Sequence, residues 1–197
     1  MKLLPYGTDG VLAEFDSIEQ VRAAHRAVLD SGIEASELVP AARTLLVTGA
    51  EPERVRSVLA GAGTHVGEPG KLVRVPVRYT GPDIELVAET AGCTLAEVAE
   101  LHASVDYTVA FCGFSPGFGY LTGLPAALHQ PRLPSPRTSV PTGSVAIAGE
   151  FSAIYPRSSP GGWRLLGATD VVLFDPRAAE PALLRPGDLV RFEPCAD

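Results

Sequence analysis

The 197-residue chain predicts an α+β N-terminal domain, a ferredoxin-like half-sandwich over residues 1–70, followed by a mainly-β barrel over residues 71–197. Three observations carry this expectation. As far as Gly63, strand-like and helix-like hydrophobic periods succeed one another in the order ββαββα. The stretch Gly67-Glu68-Pro69-Gly70 then breaks both periods and marks the boundary. From Tyr107 onward the chain holds only short alternating runs between turn residues. That spacing suits a closed or nearly closed barrel, which removes exposed strand edges.

The elements follow in order. Leu3 to Tyr6 and Val11 to Phe15 read as a hairpin turning at Thr8-Asp9-Gly10. Ser17 with Gln20 makes a capping box for a helix that carries Ile18, Val21, Ala24, Val28 and Leu29 on one face and ends near Gly32. Leu38-Val39-Pro40 and Thr44 to Thr48 form a second strand pair. Pro52, at a first helical position, opens a helix that stops in Gly61-Ala62-Gly63. Beyond the boundary, Lys71 to Tyr79 alternates as a strand, and Asp83 caps a short helix ending at Gly92. Thr94 with Glu97 makes another capping box, whose helix puts His102 in its last turn. Short strands are then expected at Tyr107 to Phe111, Ser144 to Ile147, Ala153 to Tyr155, Trp163 to Leu166, Val171 to Phe174 and Leu189 to Phe192.

Composition narrows the function. With 46% hydrophobic and 20% charged residues the chain is an ordinary globule, long enough to bury about 70% of its unfolded surface. A formal charge of −7 without a Lys/Arg cluster speaks against a nucleic-acid partner. No apolar run reaches a membrane span, so no membrane partner is expected, and the first residues carry no signal-peptide core. Three scattered cysteines, Cys93, Cys112 and Cys195, without a CxxC pair fit a reducing cytoplasm and argue against a zinc site or another metal centre.

Residues 111–163 hold the chemistry. Aromatic side chains interleave with Gly and Pro, which fix the backbone tightly and suggest a rigid, partly apolar pocket; a ligand-free barrel corner is the alternative. Gly113-Phe114-Ser115-Pro116-Gly117 matches G-x-S-x-G, but the elbow's oxyanion hole needs an N–H after the nucleophile and Pro116 has none. His129 also precedes the first downstream Asp, Asp170, so Ser115 reads as a turn residue. No phosphate loop occurs, and Gly61 to Gly67 misses the dinucleotide spacing by one residue. His25, His65, His102 and His129 are scattered. His25 reads as a solvated helix residue, while His102 is either a dipole-capping residue or a site residue. Pro131-Arg132-Leu133-Pro134-Ser135-Pro136-Arg137 holds two guanidiniums on a proline-stiffened segment. They suit bidentate recognition of carboxylate or phosphate, or are simply solvated. Thr142-Gly143-Ser144 and Gly161-Gly162 are further sources of N–H donors for an anion.

Gly113-Phe114, Pro116-Gly117-Phe118, Tyr120-Leu121, Pro131-Arg132, Pro136-Arg137, Val140-Pro141 and Gly143-Ser144-Val145 together resemble one family closely. Ile154-Tyr155-Pro156, Ser159 to Trp163, Leu173 to Pro176, Pro186-Gly187-Asp188 and Val190-Arg191-Phe192 extend the match. Upstream, Gly81-Pro82-Asp83 and Leu101-His102 belong to it too. The family is that of the 5-oxoprolinase B subunit, also labelled allophanate hydrolase subunit 1, which includes the KipI histidine-kinase inhibitor. The resemblance is strong over residues 71–197 and weak over the first 70.

This resemblance implies a cyclophilin-like barrel that is not a prolyl isomerase. It implies pairing with a homologous larger subunit, of the 5-oxoprolinase C-subunit or allophanate hydrolase subunit 2 type, and a third separate protein. The small-molecule substrate is then 5-oxoproline, opened to glutamate with ATP and Mg, and the chain alone is expected to be inactive. Allophanate hydrolysis or urea-carboxylase-type carboxyl transfer is the alternative chemistry, and inhibition of a sensor kinase the alternative of another class. In the first reading His102, Arg132 and Arg137 are the catalytic candidates. Phe114, Pro116, Gly117, Phe118, Tyr120, Pro141, Gly143, Ser144, Gly161, Gly162 and Trp163 are the substrate-binding ones. Three departures bear on the substrate. Leu133 stands where the family commonly has a second arginine, Thr142 where it has Ala, and Glu150-Phe151-Ser152-Ala153 where it reads like x-Gln-Thr-Gly.

Overall fold

The computed structural model describes residues 1–64, 67 and 69–196. His65, Val66 and Glu68, on which part of the Gly61 to Gly67 stretch and of the expected boundary fall, lie outside the described residues. The chain divides into two compact units, Met1–Glu68 and Pro69–Asp197.

In the first unit, strands β1 (Lys2–Tyr6), β2 (Gly10–Glu14), β3 (Glu37–Pro40) and β4 (Thr44–Thr48) form an antiparallel sheet in the order β1-β2-β4-β3. Helices α1 (Ile18–Asp30) and α2 (Pro52–Ala60) pack Val21, Ala24, Val28, Val55 and Leu59 against Val11, Ala13, Leu45 and Val47 of the sheet. The hairpin turn differs from the Asp-Gly expectation. Tyr6 pairs with Gly10, so the loop is Gly7-Thr8-Asp9 and Gly10 already belongs to β2. The first capping box is displaced as well. Ser17 accepts from the Gln20 N–H, but the Gln20 side chain receives the N–H of Asp16, not of Ser17. His25 is half-buried on α1, and burial first, Arg26 second, lowers its pKa.

The second unit opens with β5 (Leu72–Val77), α3 (Ile84–Ala91) and α4 (Leu95–Ala103). Both arms of the Thr94/Glu97 capping box are present at the start of α4. Strands β6 (Asp106–Cys112), β7 (Gly119–Thr122), β8 (Arg137–Val140), β9 (Ser144–Ala148), β10 (Phe151–Ile154), β11 (Ser159–Gly161), β12 (Arg164–Ala168) and β13 (Leu189–Pro194) follow. Seven strands make one mixed sheet in the order β12-β9-β10-β7-β6-β13-β5, parallel only between β13 and β5. Just past β5, Arg78 bridges Ala168 at the end of β12, and the sheet nearly closes on itself. β8 and β11 pair separately. Val171 to Phe174 is not a strand; Leu173 drops into the core and Phe174 makes a single bridge to Ala182.

The two faces of this sheet hold different cores. On one face Val75, Tyr107, Leu121, Ile147, Leu166 and Phe192 pack with Val87 of α3 and Val98 of α4. On the other, over β7, β9, β10 and β12, Ala146, Ala148, Ala153 and Leu165 pack with Phe118, Tyr155 and Trp163.

His102 packs with the aromatic members of the first core. It is fully buried, 4.4 Å from the Phe192 ring by centroids and 5.3 Å from Tyr107. The Ser152 hydroxyl reaches Ala146 O, so it accepts from His102 Nε2–H at 2.9 Å, and Nδ1 accepts the Tyr79 hydroxyl at 2.8 Å. Both ring nitrogens are therefore engaged in a neutral imidazole, and desolvation pushes its pKa down from 6.5 to about 3. The folded state takes up this proton only near pH 3, the unfolded chain near pH 6.5, so the stability it confers is full above pH 6.5 and lost as pH falls toward 3. The expected slope in that window is about 1.4 kcal/mol per pH unit beyond other groups. Urea unfolding at pH 7.5, 6.5, 5.5 and 4.5 should show this excess in the parent and not in His102→Gln; parallel slopes would contradict it.

Candidate functional site

The site is built on the aromatic face of the sheet. Leaving β6, the chain makes two tight turns before β7. Ser115 N–H donates to Gly113 O at 2.7 Å across Phe114, which sits at φ 65°, the strained γ-turn conformation. Such strain in a bulky residue costs about 1–3 kcal/mol. Phe118 N–H then donates to Ser115 O at 3.0 Å, with Pro116 and Gly117 (φ 83°) as the central pair of a type II turn. Gly117 is required twice over, because a Cβ there would come within 2.7 Å of Phe174 Cβ. Gly113 N–H closes the loop on Phe118 O.

Phe118 is the hub this loop delivers. Four rings meet it edge to face: Tyr120 at 5.1 Å, Phe114 at 5.2 Å, Tyr155 at 5.4 Å and Trp163 at 5.6 Å between centroids. Phe118 and Trp163 are buried, whereas Phe114 stays 60% exposed at the rim. Phe151 extends the layer against Tyr120 and Phe111.

Between these rings lies a small cavity of about 70 Å³, walled also by Arg132 and Pro160-Gly161-Gly162. Its far side is pinned by the backbone: Leu133 N–H donates to Gly162 O at 2.7 Å, and Arg137 faces Gly161 across β8 and β11. The Trp163 backbone N–H acts on the Tyr155 hydroxyl. Burial raises the pKa of Tyr155 against the opposing pull of that N–H, Arg132 and Arg137; burial also raises Tyr120, opposed by Arg132. Arg132 makes no hydrogen bond or ion pair with any described residue. A cation beside two phenols, with all its donors free, can take a carboxylate or phosphate oxygen.

A larger hollow of about 500 Å³ exists in the first unit, but the Lys2–Glu14 and Arg43–Asp16 pairs on its walls neutralise each other. Among the described residues no three His, Cys, Asp or Glu side chains gather as a metal site.

The sequence of the chain matches a family model described as carboxyltransferase domain, subdomain C and D, over residues 1–184. The chain belongs to that family. Within it, the resemblance drawn from the motifs holds. Over 127 residues the chain is 51% identical to the 5-oxoprolinase B subunit of Escherichia coli O157:H7, covering 63% of this chain and 58% of that protein. Over 125 residues it is 45% identical to the 5-oxoprolinase B subunit of Bacillus subtilis (strain 168), covering 62% and 52%. It thus spans little more than half the length of these curated relatives. The crystal structure of TTHA0988 superposes with a TM-score of 0.82 at 36% identity, covering 96% of this chain and 40% of that one.

Of the expected site residues of this carboxyltransferase-domain chain, Phe114, Phe118, Tyr120, Arg132, Gly161, Gly162 and Trp163 line one cavity. Pro116 and Gly117 shape the turn without lining it. Pro141, Gly143 and Ser144 form a turn elsewhere, with the Gly143 N–H on Tyr155 O and the Ser144 N–H on Pro141 O, so neither amide is free for an anion. His102 lies on the opposite face of β10, joined to Ser152 while Phe151 and Ala153 face the rings. Tyr155 lines the cavity without being among the expected residues, although the Ile154-Tyr155-Pro156 match contains it. Asp83 differs from its expected role as a helix cap. Its buried carboxylate caps nothing and instead accepts Arg137 Nη2–H at 2.7 Å and Leu165 N–H at 2.8 Å.

Arg137→Ala is therefore expected to cost stability, because it leaves Asp83 buried and unpaired, about 3–5 kcal/mol in urea unfolding. Ser115 Oγ is buried without a hydrogen-bond partner, so no base contacts it. A serine-directed fluorophosphonate should leave the chain unlabelled; stoichiometric labelling of Ser115 in mass spectrometry would restore the nucleophile reading.

Proposed function

We propose that this chain is the smaller subunit of an ATP-dependent 5-oxoprolinase-type amidohydrolase, opening 5-oxoproline to glutamate together with a homologous larger subunit and a third protein. The observation that carries this reading is Arg132, an unpaired guanidinium at the mouth of an aromatic cavity too small to enclose a ligand by itself. Pockets that enclose small molecules hold roughly 300–1,000 Å³. At about 70 Å³ the cavity can grip part of a compact acid, and the remainder needs another surface. A five-membered lactam with a carboxylate suits the grip: its ring lies against Phe118 and Trp163 and its carboxylate meets Arg132. Relatives 45–51% identical bear the name of a 5-oxoprolinase B subunit, which supports both the substrate and the need for partners.

ATP would supply activation of the lactam carbonyl. We assign the two units to a ferredoxin-like half-sandwich and a cyclophilin-like barrel, and the chain to the cytoplasm, where its three unpaired cysteines stay reduced.

Co-expression with the larger partner should give a co-eluting complex in size-exclusion chromatography, whose ATP hydrolysis depends on 5-oxoproline. Full turnover by the chain alone refutes the subunit reading, and dependence on allophanate instead moves the assignment to urea-derivative chemistry. Arg132→Ala should lower kcat/KM about ten- to a hundredfold, as loss of a charge-assisted contact does, with stability changed by less than about 0.5 kcal/mol. Unchanged kinetics would remove Arg132 from the site.

A further inference from the structure

Tyr155 walls the cavity together with Arg132 and Gly161. Its ring meets Phe118 at 5.4 Å and Phe114 at 6.3 Å between centroids, edge to face in both cases. A phenylalanine would serve that packing equally well, so the hydroxyl is the part of the side chain that packing does not explain. The opposite wall is shaped around it. A Cβ on Gly161 would come within 2.3 Å of Tyr155 Oη, with the ring carbons next at 3.0 Å. Gly161 is not among the residues at positive φ, so its backbone conformation does not call for glycine. What excludes a side chain there is the Tyr155 phenol, its oxygen first.

The proton of this hydroxyl has no acceptor among the described residues, and Oη is not one of the polar atoms sealed inside without a hydrogen bond. The hydroxyl therefore opens on the cavity. Burial, the largest influence on the phenol, raises its pKa and keeps it protonated in neutral solution. The Trp163 N–H and the charge of Arg132 act next, in the opposite sense, by drawing on the oxygen. An oxygen polarised by positive groups donates its proton more strongly. Tyr120 also feels Arg132, yet no glycine of the cavity wall is kept clear for its oxygen. One guanidinium with unpaired donors and one polarised O–H thus share a small cavity, and a single negative charge neutralises the first while accepting from the second.

We propose that Tyr155 is a specificity-determining residue of this cavity: its O–H donates to one oxygen of a small monocarboxylate whose other oxygen takes Arg132. The proposal rests on the anion-binding reading of the cavity, but not on the identity of the reaction. The phenol is held by the rings and by Gly161 before the ligand arrives, so its ordering cost is not met at binding. A ligand without the carboxylate leaves the hydroxyl without an acceptor, which is how a buried donor rejects it.

The test uses Tyr155→Phe, which keeps the ring and removes only the hydroxyl. Trp163 is the only tryptophan of the chain and lines the cavity, so its fluorescence reports occupancy directly. The whole chain is titrated with 5-oxoproline, with cyclopentanecarboxylate and with pyrrolidinone, the lactam ring without the carboxylate. In Tyr155→Phe both carboxylates should bind about tenfold more weakly, as loss of one charge-assisted hydrogen bond requires, and pyrrolidinone should change by less than about twofold. Saturation with cyclopentanecarboxylate should also shift the tyrosine absorption to the red in the parent and not in Tyr155→Phe, because a phenol that donates to an anion absorbs at longer wavelength. Equal carboxylate affinity in parent and variant would make the phenol a packing ring and overturn the proposal, as would an equal loss for all three ligands. So would a parent chain whose Trp163 responds to neither carboxylate. If both carboxylates bind through Tyr155 but the assembled complex does not turn over 5-oxoproline, the proposal stands and the 5-oxoprolinase reading falls.

Discussion

Strands β9, β10 and β12 are buried on both faces, and the rest of the second unit depends on that constraint. A strand alternates its side chains, so a two-faced strand must satisfy two cores with one sequence. The division of labour is plain in β9: Val145 and Ile147 fill the aliphatic core, while Ala146 and Ala148 face the rings. The small residues are what give the aromatic face its depth. Phe118, Tyr155 and Trp163 lie close over alanines, and a larger side chain at Ala146 or Ala153 would lift them and flatten the cavity they wall.

The same alternation explains why His102 and the cavity are unrelated although both contact β10. Ser152 points inward to the imidazole while its neighbours Phe151 and Ala153 point outward. The sheet lies between them. Ser152 and Phe151 thus serve opposite cores, Ser152 as a hydrogen-bond partner and Phe151 as a ring in the aromatic layer.

Much of this is legible in the sequence where the determinant is local. Thr94 with Glu97 and Pro52 set helix starts through contacts within one turn, and Ser115-Pro116-Gly117-Phe118 carries its type II turn in its own residues. The Gly/Pro-aromatic run marks the cavity for the same reason: its backbone is fixed by neighbours in sequence. What escapes depends on distant partners. β8 is short and bounded by Pro136 and Pro141, β11 is short and contains Pro160, and they exist because each pairs the other. Val171 to Phe174 alternates like a strand but finds no strand to pair along its length. His102 follows Leu101 on a helix that buries both to different degrees, so periodicity cannot tell core from site. Asp83 looks like a cap because caps are common at that position. Its true partners, Arg137 and Leu165, are 54 and 82 residues away.

The pairing of β13 bears on how the second unit is made. Leu189–Pro194 lies between β5 and β6, joined to both, and among the described residues β5 has no other strand along Leu72–Val77. On the ribosome, residues 72–77 emerge more than a hundred residues before the strand that pairs with them. Until then the near-closed sheet is split between β5 and β6, and the core behind it, with Val75, Val77 and Phe192, stays open to water. Contacts of such long sequence separation close slowly. The unit is therefore a late-folding one, whose nascent form exposes a row of valines to whatever chaperone meets the chain first.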